Sequence, residues 1–208
     1  MTNDPDLSKA YGLQGPEASQ KLYAAWADTY DTDFAAGMHY LAPQAVADCY
    51  AKISGASPVL DLGAGTGLLG QALVQHGITH VDGTDISPEM LEQAKKKGVY
   101  NRVFEGDLTG QLDVATGAYD GIVSSGTFTH GHVGPEAMAE VLRCMSHGAW
   151  AVLSVNAAHW DALGFAVTLN RLTPEIATWR KQAFALYGAG STGPHAKDKG
   201  WLLQICTA

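Results

Sequence analysis

Apolar and polar positions change period several times along the chain, and each change marks an element. From Ser19 to about Phe34, Leu22, Tyr23, Trp26, Ala27 and Tyr30 recur at helical spacing, which predicts an amphipathic helix. A second helix is predicted from about Tyr40 to Lys52, stopped by Gly55 and Pro58. The short apolar run Pro58–Leu62 then ends in glycines and predicts a buried strand. Gly67 to His76 is helical and stops at Gly77; Thr79 to Asp85 is a second strand. Ser87-Pro88 is a helix start, with serine at the cap and proline at the first helical position. That helix, Glu89 to Lys97, ends at Gly98 and places Lys95-Lys96-Lys97 as a solvated run at the negative end of its dipole. Arg102–Glu105 and Tyr119–Ser125 are the third and fourth strands. Gly134 to His147 is predicted as helix, Ala149 to Val155 as strand, Asp161 to about Leu186 as helix, and Gly200 to Thr207 as a last strand.

Strands separated by helices of about ten residues predict a doubly wound α/β fold, a mostly parallel sheet with helices on both faces. Residues 1–18, broken by Pro5, Gly12, Gly15 and Pro16, are expected to be a flexible tail or lid. Residues 19–208 form one domain: a helical N-terminal cover (19–55), a core (56–155), and a helical lid with the last strands (156–208). In that lid Trp160, Phe165, Trp179 and Phe184 are expected over a pocket.

Composition narrows the class. Of the 208 residues 46% are hydrophobic, enough for one packed core. Thirteen Lys and Arg against 21 Asp and Glu give −8, which argues against a nucleic-acid partner. Cys49, Cys144 and Cys206 are scattered, with no pairing motif, and fit a reducing compartment. The acidic start lacks the pattern of a signal peptide, and Leu62–Val81, the longest stretch without Asp, Glu, Lys or Arg, is too glycine-rich for a membrane span. A cytoplasmic monomer or homodimer with no membrane partner is expected.

Glycine, at 24 residues, is in excess, and its densest cluster carries the chemistry. The first strand runs into Leu60-Asp-Leu-Gly63-Ala-Gly65-Thr-Gly67-Leu-Leu-Gly70, a loop that lets a ligand approach the backbone closely. Asp85 ends the next strand, placed to accept hydrogen bonds from ribose hydroxyls. Loop and carboxylate together predict a bound nucleoside. Gly65-x-Gly67-x-x-Gly70 also satisfies the dinucleotide fingerprint, so an NAD-dependent oxidoreductase is an alternative. Against it, the run begins earlier, at Gly63, and Asp61 would repel a pyrophosphate while suiting a ligand with a positive end. Asp107, after the third strand, adds an acid that suits an adenine amine.

Val59-Leu-Asp-Leu-Gly-Ala-Gly-Thr-Gly67, Gly83-Thr-Asp-Ile-Ser-Pro-Glu-Met-Leu91, Gly106-Asp107 and Tyr119-Asp-Gly-Ile-Val123 together resemble class I S-adenosylmethionine-dependent methyltransferases. Ser124-Ser-Gly-Thr-Phe-Thr-His-Gly-His-Val133 is similar to the Williams–Beuren-region methyltransferase-like group. The resemblance implies a Rossmann-like fold, S-adenosylmethionine as methyl donor and S-adenosylhomocysteine as product. It places Gly63, Ala64 and Gly65 along the methionine part, with Asp61 toward the ammonium. Asp85 would hold the ribose, Ile86 and Met90 sandwich the adenine, Asp107 and Leu108 read its edge, and Ser124 lie near the methionine end. Tyr23 and Tyr30 would cover the cofactor, offering a hydroxyl to the carboxylate and a ring face to the sulfonium. No Asn/Asp-Pro-Pro-aromatic block follows the fourth strand, which points away from amide or adenine methylation. The expected reaction is metal-free, in-line methyl transfer to a small molecule with an oxygen, nitrogen or carbon acceptor. His130 and His132 are the candidate bases, and His39, His159 and His195 could reach the site from lid elements. A non-catalytic module that binds S-adenosylmethionine is the remaining alternative.

Overall fold

The computed structural model describes residues 10, 12 and 15–208. Most of the expected 1–18 tail therefore lies outside the described residues. Within it, Pro16 already opens helix α1 (Pro16–Trp26), earlier than the predicted Ser19. The predicted single helix to Phe34 is instead two pieces: α1, then after a turn a π-helical segment, Tyr30–Ala36. Helix α2 is Ala42–Ile53. There follow β1 (Val59–Leu62), α3 (Leu68–Gln75), β2 (Val81–Asp85), α4 (Pro88–Lys97), β3 (Arg102–Glu105) and β4 (Tyr119–Phe128). A short 3₁₀ turn at Pro135–Ala137 leads into α5 (Met138–Cys144), then β5 (Met145–Asn156), α6 (Ala157–Leu163), α7 (Phe165–Arg171), β6 (Ile176–Ala185) and β7 (Lys199–Thr207).

The seven strands form one sheet in the order β3-β2-β1-β4-β5-β7-β6. The first five are parallel, and β7 runs antiparallel between β5 and β6. The order reverses beside β1, so the carboxyl ends of β1 and β4 diverge there and open a crevice for a ligand. Side chains alternate across the sheet with period two. Leu60, Leu62, Ile122 and Leu153 bury into one core with α5 and α7. Val59, Val81, Val123 and Val152 bury into the other with α2 and α3.

Helix α4 forms as its sequence dictates. The Ser87 hydroxyl oxygen accepts from the Met90 N–H, Pro88 sits in the first turn, and Gly98 closes the helix at φ +64°. Two predicted elements are overturned. The helix expected to His147 ends at Cys144, because Met145 already pairs with Tyr119 across the sheet. The Ser146 hydroxyl, donating to Asp120 (2.7 Å), and the Thr207 hydroxyl, donating to the Ser146 carbonyl (2.6 Å), fix that stretch as strand. The helix expected across 161–186 stops at Arg171, ahead of Pro174, and the remainder is the edge strand β6. There Lys181 lies over the rings of Trp160 (4.5 Å) and Trp201 (3.9 Å). Trp160 and Phe165 are buried in the core and Trp179 packs against it, with Phe184 on the opposite face, so these aromatics brace the sheet instead of covering a pocket.

Candidate functional site

A ligand-sized opening of about 200 Å³ lies at the carboxyl ends of β1, β2 and β4 and is roofed by α1. Its floor is the glycine loop. Gly63 turns at φ +70°, and a Cβ there would stand 2.0 Å from the Thr127 hydroxyl oxygen, so glycine is required on two counts. The Gly63 and Ala64 N–H groups are tied to the Thr84 carbonyl. Asp85 braces the same loop: one carboxylate oxygen accepts from the Gly65 N–H (2.8 Å), the other from the Ser87 N–H (2.9 Å). Burial pushes its pKa up while those backbone donors pull it down.

Gly63, Ala64, Gly65, Asp85, Ile86, Met90, Asp107, Leu108, Tyr23 and Tyr30 all line this cleft. Ile86, Met90 and Leu108 give it an apolar slot. Asp107 caps its own turn by accepting from the Thr109 N–H (2.8 Å) and hydroxyl (2.7 Å). Two expected residues lie elsewhere. Ser124 is fully buried and donates to the Leu62 carbonyl (2.6 Å), so the next residues, Ser125, Gly126 and Thr127, line the cleft instead. Asp61 is fully buried beneath the loop, on the α2–α3 face of β1, where it accepts from the Tyr100 hydroxyl (2.7 Å) and leaves Oδ1 without a partner. Burial pushes its pKa from 3.8 up to about 7, with the Tyr100 bond opposing and the Asp85 charge adding.

Tyr100 is the residue the sequence reading missed. Its ring lies over three glycines: added Cβ atoms at Gly67, Gly70 and Gly83 would come within 3.1, 2.6 and 3.2 Å of it. The third glycine of the apparent dinucleotide fingerprint thus makes room for a protein side chain. The signal was present as glycines facing each other on neighbouring elements, but only the fold shows what fills the space.

The roof is held by specific bonds. Gln20 on α1 donates to the Ile86 carbonyl (3.1 Å), and Gln93 on α4 donates to Asp28 (2.6 Å). Asp31 accepts from both the Thr66 hydroxyl and the Lys97 ammonium, each at 2.5 Å. Lys97, expected as a solvated helix end, therefore joins the roof to α4.

Behind the cleft, a smaller chamber of about 40 Å³ shares Tyr23, Tyr30, Tyr40, Gly126 and His132 with it. Trp26, Tyr30, Phe34, Tyr40, Phe128 and Tyr187 wall it, with Tyr30 and Phe34 rings 4.9 Å apart and Tyr40 and Tyr187 rings 5.8 Å apart. At the junction, His132 Nδ1 lies 2.7 Å from the His130 carbonyl and Nε2 lies 2.7 Å from the Tyr23 hydroxyl. A carbonyl only accepts, so Nδ1 carries the hydrogen. Burial holds the ring's pKa below 6.5, hence neutral, and Nε2 accepts from Tyr23. His130 faces the His159 ring (5.3 Å), and His159 is spent on the Val133 carbonyl (2.9 Å). His195 pairs with Asp198 (3.1 Å), and neither it nor His39 lines the cleft or chamber. Of the five candidate histidines, only His132 faces both spaces. Among the described residues no group of three His, Cys, Asp or Glu is arranged to hold a metal, and no helix is long and apolar enough to cross a membrane.

Comparison with known proteins agrees with this geometry. Residues 59–148 match the family model described as a methyltransferase domain. Human methyltransferase-like protein 27 is 34% identical over 139 residues, a match covering 64% of this chain. The chain spans 56% of that relative's length. In fold, it is similar to a SAM-dependent methyltransferase from Thermotoga maritima (TM-score 0.63, 15% identity, 90% of this chain and 98% of that one). A TehB-like SAM-dependent methyltransferase from Corynebacterium glutamicum superposes with TM-score 0.60 at 21% identity, over 89% of this chain and 98% of that one. The family match is thus confined to residues 59–148, and the wider likeness is one of fold.

Proposed function

We propose that this chain is a class I S-adenosylmethionine-dependent methyltransferase that transfers a methyl group from its cofactor to a small, largely apolar acceptor. The observation that carries the reading is the pairing of two joined spaces: a cleft suited to a nucleoside and, behind it, a small chamber walled by aromatic rings.

The cleft residues fit the cofactor. Each Asp85 oxygen spends one lone pair on a backbone N–H and keeps another for a ribose hydroxyl. Ile86, Met90 and Leu108 form an apolar slot for a flat base, with Asp107 at its edge. Gly63–Gly65 bring bare backbone to the methionine end. Asp61 acts through the loop above it and not by direct contact, since its carboxyl is sealed under Tyr100. When bound, the cofactor supplies a methyl carbon made electrophilic by a sulfonium, with no metal needed. The protein's share is alignment: the roof excludes water and the chamber points an acceptor at the methyl group, where proximity is worth about 7 to 11 kcal/mol in well-aligned systems.

The chamber's size supports a small molecule over a protein or nucleic-acid acceptor. The cleft wall supports the same, since none of the described residues lining it is Lys or Arg. The test is calorimetric titration with S-adenosylmethionine, S-adenosylhomocysteine and NADH, on wild type and Asp85→Ala. Micromolar binding of the first two, weakened a hundredfold or more in the variant, is expected. Binding of NADH alone overturns the reading in favour of an oxidoreductase. Cofactor binding with no methyl transfer across a panel of small acceptors would leave a non-catalytic binding module.

A further inference from the structure

We propose that Tyr100 is a positioning residue for the cofactor: without lining the cleft, it holds the glycine loop and the Asp61 carboxyl in the form that receives the cofactor's net-positive methionine end. This rests on the reading above and adds a residue to the machinery of the same site.

Tyr100 follows α4, well outside the glycine run, and does not line the cleft. Its ring nevertheless fills the notch left by glycines on the elements that carry the loop. Gly67 caps the N-terminus of α3, Gly70 lies in that helix's first turn, and Gly83 is on β2. A Cβ at Gly70 would stand 2.6 Å from the ring carbon that bears the hydroxyl. A Cβ at Gly83 would meet the ring at 3.2 Å and the Ala64 methyl at 3.1 Å, so the ring and the loop share that surface. Larger residues at these positions would push the ring out, and a smaller residue at 100 would leave the loop without a backing.

The hydroxyl ties in the strand before the loop. It donates to Asp61 Oδ2 (2.7 Å), and the Gly70 N–H, a first-turn donor with no carbonyl inside its own helix, faces the tyrosine oxygen. Helix N–H, tyrosine hydroxyl and carboxyl thus form one directed chain from α3 to β1. Asp61 is fully buried and its Oδ1 has no hydrogen-bond partner, so among the described residues Tyr100 is the donor on which the carboxylate depends.

Charge sets what this arrangement favours. From β2, Asp85 faces the pair with a second negative charge. The other elements packed on this face present Val123 of β4, Val46 of α2, Leu69 and Leu73 of α3, and Ala94 of α4, while Tyr50 of α2 is turned to the Ala56 carbonyl. None of these groups is a cation. A ligand with a sulfonium in the cleft supplies the missing positive charge across the loop; the thioether product, whose ammonium and carboxylate cancel, does not. Ionised Asp61 therefore favours S-adenosylmethionine over S-adenosylhomocysteine, and the Tyr100 hydrogen bond keeps Asp61 ionisable near neutral pH. Without that donor the carboxyl holds its proton to higher pH. The proton given up on ionisation passes to solvent.

Calorimetric titration of S-adenosylmethionine and S-adenosylhomocysteine into wild type, Tyr100→Phe and Asp61→Asn, at pH 6, 7.5 and 8.5, reads the ratio of the two affinities. The pH trend of Asp61→Asn reports the ligands' own ionisation and is divided out. In wild type the corrected ratio is expected to rise about fivefold or more in favour of S-adenosylmethionine between pH 6 and pH 8.5. Tyr100→Phe keeps the ring and removes only the donor, so its rise is expected at higher pH, leaving the ratio at pH 7.5 about threefold or more below wild type. A role in packing alone would leave that ratio unmoved. Should Tyr100→Phe not fold, Tyr100→Met removes the same donor with a side chain that adapts to the notch, and is expected to shift the ratio the same way. A wild-type ratio that stays level with pH overturns the proposal, and so does a variant ratio equal to wild type at pH 7.5. Wild type that binds neither ligand refutes the cofactor reading itself and this proposal with it.

Discussion

Replacing Asp61 with asparagine tests the electrostatics of the loop support directly. The carboxyl is fully buried, holds one hydrogen bond from Tyr100, and has a pKa raised from 3.8 to about 7. Folding therefore takes up a proton between those two values. The associated stability is fully present below about pH 3.8 and is lost as pH rises through 7. At 1.36 kcal/mol per pH unit the whole span is worth about 4 kcal/mol, of which about 2.7 kcal/mol falls between pH 5 and pH 8.5. The amide of the Asp61→Asn variant cannot ionise, and its side-chain oxygen still accepts from Tyr100. Urea unfolding of the cofactor-free wild type and Asp61→Asn, at pH 5 and pH 8.5, isolates the effect as a difference of differences. The burial of Asp85, which also raises its pKa, is common to both proteins, so the difference reports Asp61 together with its charge coupling to Asp85. Asp61→Asn should gain about 2 to 3 kcal/mol on wild type over that pH interval. A difference that stays constant with pH to within about 1 kcal/mol would refute the assignment of a protonated, desolvated carboxyl beneath the loop.

Other consequences can be checked with simpler assays. Gly63→Ala places a Cβ 2.0 Å from the Thr127 hydroxyl oxygen at φ +70°, and should lower Tm by roughly 5 to 12 °C; an unchanged melting curve would show that the loop relaxes freely. Asp31→Ala removes the acceptor shared by Thr66 and Lys97, so S-adenosylhomocysteine affinity should drop about tenfold while Tm moves by less than about 4 °C. Faster proteolysis between residues 27 and 41 should accompany it, and unaltered affinity would mean that the roof does not depend on that clamp. Because burial holds His132 below 6.5, the acidic limb of the methylation rate should lie under pH 6.5. A limb at or above that pH, read from a rate–pH profile, contradicts a neutral buried base.

The parts of the fold legible in the sequence are those whose signals are local. Ser87-Pro88 and Gly98 bound α4 through caps that act within one turn, and the glycine run after β1 requires its turn wherever the strand goes. The four spaced blocks between 59 and 123 likewise placed Asp85, Asp107 and the glycines at strand ends, which is where they line the cleft. Boundaries failed where pairing across the sheet outweighed local preference. Met145–Gly148 reads as the end of a helix, yet Tyr119 holds it in register as strand. Residues 176–185 read as a lid, but Pro174 ends α7 and β7 offers a full antiparallel edge.

Sequence by itself determined the crevice and the chemistry of its floor, because strand-end acids and glycines act through their own backbone positions. Only the tertiary structure decided what those groups face. Asp61 meets Tyr100, 39 residues on, and Ser124 turns to a carbonyl of the neighbouring strand, so neither reaches the cleft. Lys97 and Asp31, 66 residues apart, meet across the roof. Tyr23 and His132, separated by 109 residues, become one hydrogen-bonded pair. Such contacts depend on which faces of α1, β1 and β4 the packing turns toward each other, and no spacing along the chain encodes that.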